Sequence, residues 1–67
     1  MGKLYDTVRQ IDAAIARKGL PVFKVKGLIA IRVGFSLALI DEATPDDPAK
    51  LAALRAAAKE VIGETII

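Results

Sequence analysis

Residues 22 to 40 set the terms on which this chain can fold. From Gly27 to Ile40 runs a 14-residue stretch whose only charge is Arg32, and whatever shape it takes, something must cover it. Two periodicities coexist there. At a period of two, Phe23, Val25, Ile29, Ile31, Val33 and Phe35 fall on one face of a strand and Lys24, Lys26 and Arg32 on the other. At the helical period the segment is apolar nearly all round, and the small residues Gly27, Ala30, Gly34 and Ala38 gather on one side at spacings of three, four and four. Length favours the helix. A strand over all of 22–40 would be far longer than the usual five or six residues and would have no partner in its own chain. The expectation is therefore a helix over 21–40. The competing arrangement is a helix, strand, helix unit whose strand pairs with that of a symmetry mate.

The same stretch is too short to span a bilayer, which takes about 20 apolar residues. Arg32 adds a charge that costs about 2.5–3.5 kcal/mol at the bilayer centre, so no membrane span is expected.

The flanking segments are more legible. Leu4, Val8, Ile11 and Ile15 recur at four, three and four, one apolar stripe on a helix over 3–18, with Lys3, Asp6, Arg9, Gln10, Asp12 and Arg17 off it. Gly19 is placed to end this helix, with Arg17 and Lys18 complementing the negative end of its dipole, and Pro21 suits the first position of the next. Residues 41–48 carry four acids and two prolines and break any apolar period. A last helix over 48–62 follows, with Asp47 as its N-cap and Pro48 at the first helical position; Thr44 is the other candidate cap. Leu51, Leu54, Ala58, Val61 and Ile62 form its inner stripe, Gly63 ends it, and the tail leaves Ile66 and Ile67 looking exposed. The fold class expected is all-α: residues 1–67 as a single small helical domain of three helices, its apolar central helix completed by homo-oligomerisation.

The oligomer follows from size. A chain of 67 residues buries only about 60% of its unfolded surface, and small scaffolds make up the deficit with disulfides, a metal or partner subunits. Cysteine and histidine are both absent, while 54% of the residues are hydrophobic and the mean hydropathy is +0.43. Partner subunits are what remains. The contact is expected along Gly27, Ala30, Ile31, Arg32, Gly34, Phe35 and Ala38. Gly34 would be kept in a helix interior for close approach, and Arg32 would meet the Asp41, Glu42, Asp46 or Asp47 carboxylates of an adjacent copy.

Function classes narrow by exclusion. With no His, no Cys and the single Ser36, the chain offers no nucleophile and base pair, so it is not expected to be an enzyme. No cofactor, metal or small-molecule ligand is inferred. The acids of 41–47 lack the alternation and central glycine of a calcium loop and suit capping instead.

Charge is divided: residues 1–40 hold seven cations against two anions, and residues 41–67 hold three cations against six anions. Arg17, Lys18, Lys24 and Lys26 could face a polyanion, which makes a small basic nucleic-acid-binding protein the second reading. The first is a self-assembling structural or protein-interaction module. Dispersed charges in the first 20 residues fit no leader, and with the lack of cysteine point to the cytoplasm.

Overall fold

The computed structural model describes residues 2–66, and within them every regular element is helical. Helix α1 spans Lys3–Arg17, α2 spans Val22–Val33, a 3-10 turn spans Leu37–Leu39, and α3 spans Pro48–Ile62. The body measures 30 × 19 × 19 Å.

α1 forms where the stripe predicts. Leu4, Val8, Ile11 and Ile15 are buried, with Ala14 and Thr7 beside them. The Thr7 hydroxyl donates to the Lys3 carbonyl at 2.8 Å, which satisfies the one polar side chain on that face. The helix ends one residue earlier than expected. Gly19 takes φ +68°, its N–H bonds the Ala16 carbonyl and the Leu20 N–H bonds the Ile15 carbonyl, the paired closure that satisfies the last carbonyls of a helix.

α2 departs from the expected 21–40 helix. It opens after Pro21, which stands at the N-cap, and stops at Val33. Gly34 is not a helix-interior residue: it adopts φ +82° and closes the helix with its N–H on the Ala30 carbonyl. That left-handed conformation costs an L-residue about 1–2 kcal/mol and a glycine almost nothing, so the glycine is explained by the cap. Within its own subunit nothing lies within 4 Å of where its Cβ would be. Beyond it the chain turns, and residues 36–38 come to lie beside Gly27 and Ala30 of α2.

The acidic connector is a double cap. Asp47 accepts from the Ala49 and Lys50 N–H groups at 2.9 and 3.3 Å, the N-cap of α3, with Pro48 at the first helical position as expected. Asp46 reaches across the fold to α1, accepting from the Lys3 N–H at 2.6 Å and from that of Leu4 at 3.4 Å. Adjacent aspartates therefore tie the starts of α1 and α3 together. Gly2 is buried beneath this junction, where a Cβ would stand 3.2 Å from the Thr44 carbonyl oxygen. Thr44 does not cap α3; its hydroxyl accepts from the Asp41 N–H within the loop.

At the opposite end Arg17 pairs with Glu64 at 2.6 Å and the Lys18 ammonium donates to the Ile62 carbonyl at 3.1 Å. α1 and α3 thus start together, end together and run parallel. α2 packs across both: its Lys26 faces Asp12 of α1, its Arg32 pairs with Glu60 near the end of α3, and Lys50 on the first turn of α3 sits 5.4 Å over the Phe35 ring just past the end of α2. The core gathers Leu4, Ile11 and Ile15 from α1, Ile29 from α2 and Leu54 from α3, all fully buried, with Leu37 of the 3-10 turn closing one side. Ile66 is buried as well, contrary to the exposed tail expected; Ile67 lies outside the described residues.

Candidate interaction surface on the outward side of α2

α2 buries only Val25 and Ile29. Val22, Val33 and Ala30 are half-covered, and half of the helix's twelve residues are exposed. The outward side carries Phe23, Lys24, Gly27, Leu28 and Ile31, since residues four and eight apart stack along one helix face. Phe23 is 91% exposed, Ile31 80% and Leu28 51%, while Leu39 on the 3-10 turn is 78% exposed and Leu20 before the helix 38%. An isolated exposed leucine is ordinary; five large apolar side chains on one helix and its two flanks form a patch of the kind that marks a contact.

Within the patch lies a groove of about 210 Å³ lined by Phe23, Lys26, Gly27, Ala30, Ser36, Leu37 and Ala38. Its depth comes from Gly27. Nothing occupies the space within 4 Å of where a Cβ would stand, and Phe23 and Ile31 rise one turn to either side. α2 contains no acid, and its three cations are unequally employed. The Lys26 ammonium lies 3.2 Å from Asp12 Oδ1, a charge contact rather than an aligned hydrogen bond, and Arg32 pairs with Glu60 on α3. Lys24 is exposed and has no ion-pair partner among the described residues.

The expected contact residues therefore divide. Gly27 and Ile31 face outward, Ala30 is half-buried beside the groove and Ala38 is exposed on its wall. Arg32 pairs with Glu60 of its own chain, an exposed contact. Gly34 is committed to the cap, and Phe35 is half-buried under the Lys50 ammonium. Phe23, the most exposed of the large apolar residues, was absent from that set, although its spacing of four from Gly27 and eight from Ile31 places all three on one line.

Of the four cations considered for a polyanion, Arg17, Lys18 and Lys26 each hold an internal partner and only Lys24 is free of one among the described residues. The carboxylates of Asp46 and Asp47 are likewise engaged on helix N-termini. Comparison with protein-family models, with curated proteins and with solved structures finds no match. Among the described residues no helix is long and apolar enough to cross a membrane.

Proposed function

We propose that this chain is a non-enzymatic, self-assembling structural or interaction module, working in the cytoplasm, whose contact surface is the outward side of α2. One observation carries the reading: Phe23 and Ile31 stand 91% and 80% exposed on a helix whose opposite side already anchors the core. Leaving such side chains in water forgoes roughly 1.5–3 kcal/mol each relative to full burial, a large fraction of the 5–15 kcal/mol by which domains are stable. A chain without disulfide or histidine gains most from covering them.

The nucleic-acid reading has less support, because phosphate contacts need several uncommitted cations and three of the four considered are engaged internally. Light scattering coupled to gel filtration, from low to high salt, tests the proposal. An oligomer that persists or strengthens as salt rises is expected of an apolar contact; a monomer at every concentration would contradict it.

A further inference from the structure

Resting on that reading, we propose that the partner on this face is a second copy of the same chain, docked antiparallel about a two-fold axis near Gly27, with Phe23 of each copy lying over the other's groove. Three features of the surface select this occupant.

The first is self-complementarity. A two-fold contact uses the same patch on both subunits, so each patch must carry both a projection and a recess to receive it. Here the exposed Phe23 and the Gly27 recess lie one helical turn apart on a single face. With the axis at Gly27, antiparallel α2 helices bring Phe23 of one copy to the Ala30–Ile31 level of the other, beside the recess. The small Gly27 side lets the two backbones approach where they cross.

The second is charge. Lys24 stands near the start of α2, at the end of the molecule where α1 finishes. Asp41 and Glu42 follow the 3-10 turn, in the connector between residues 36–38 beside Gly27 and Asp46 at the start of α1. Both are exposed and without an ion-pair partner among the described residues. Parallel helices would set Lys24 beside Lys24, whereas the antiparallel arrangement carries each Lys24 toward the partner's acidic stretch.

The third is size. A standard interface takes about 800 Å² from each partner, a little under a fifth of this molecule's 4333 Å². One long face of a 30 × 19 × 19 Å body is about that share, so a contact confined to one side of the molecule is large enough for a standard dimer.

The chain has no cysteine, so single-cysteine variants report on the geometry. Mixed under mild oxidation, F23C and I31C should cross-link to each other faster than either does to itself, while A49C on the outer side of α3 should remain largely unlinked. A Cβ at Gly27 would meet nothing within 4 Å in its own subunit, so Gly27→Leu has room to project into the recess; it should keep the wild-type helical spectrum yet elute as a monomer, and so should Phe23→Asp. Lys24→Glu should weaken the dimer at least several-fold, and adding Asp41→Lys and Glu42→Lys should recover it.

An oligomer of unchanged mass in both Gly27→Leu and Phe23→Asp would overturn this surface while leaving self-assembly standing. A wild-type monomer at every concentration would remove both. Preferred F23C to F23C linkage would overturn the antiparallel arrangement. A monomer that pellets with vesicles of phosphatidylcholine and phosphatidylglycerol, and loses that on Phe23→Asp, would assign the face to a lipid surface and overturn the second copy.

Discussion

α1 and α2 are both rich in aliphatic residues, and they spend them differently. α1 concentrates Leu4, Val8, Ile11 and Ile15 on one stripe, buries all four and presents charge and amide to water. α2 spreads its apolar residues around the circumference, buries Val25 and Ile29, and leaves Phe23, Leu28 and Ile31 outside. A helix in a three-helix unit has two neighbours at most, so an apolar stripe can be covered within one subunit and an apolar cylinder cannot. The difference teaches that the hydrophobic excess of this chain is local. It sits on one side of one helix.

The same substitution in the two helices gives the largest contrast. Ile11→Ala should lower stability by about 2–5 kcal/mol, the cost of a lost buried side chain plus the cavity left behind, since Ile11 is fully buried. Ile31→Ala, measured by urea unfolding at a dilution where the chain is monomeric, should change it by no more than about 0.5 kcal/mol. Equal losses would mean that Ile31 is covered within its own subunit.

Gly34 sharpens where α2 stops. If its φ of +82° is needed for the cap, Gly34→Ala should cost about 1–2 kcal/mol; if the helix continued to residue 40, the same change would stabilise, because alanine is the better helix former. Thermal melts of the two proteins distinguish these signs.

Asp46 and Arg32 test smaller terms at the ends of the molecule. Asp46→Ala should cost about 0.5–2 kcal/mol by uncapping α1, with hydrogen exchange quickening first at the α1 N-terminus. Arg32→Ala should cost about 1 kcal/mol or less, since its pair with Glu60 is solvent-exposed. A larger loss of oligomer than of stability in Arg32→Ala would restore Arg32 to the subunit contact.

Much of the fold was legible where polarity and apolarity alternate. The bounds of α3 and its Asp47 cap follow from Pro48 and the acids before it, and α1 from its stripe and Gly19. Periodicity failed at the end of α2, because an all-apolar segment gives no sign of where its helical face stops. The usable sign was chemical: Gly34 follows the basic Arg32, as Gly19 follows Arg17 and Lys18 and as Gly63 follows Lys59. The Asp46 bond to Lys3 spans 43 residues, and the Arg32 pairing with Glu60 spans 28; neither has any local signature. At the candidate surface Gly27 and Ile31 were readable from spacing. Phe23 shares their spacing; what an apolar helix does not signal is which of its sides the rest of the fold will cover.

Proton–nitrogen NMR spectra of the wild type, recorded from micromolar to millimolar concentration, test self-association through α2 most directly. Concentration-dependent shifts should cluster on residues 20–31 and 36–42, with those of Val8, Ile11 and Leu54 unmoved. Spectra that do not change with concentration, at the rotational correlation time of a monomer, would contradict it, as would shifts confined to the outer faces of α1 and α3.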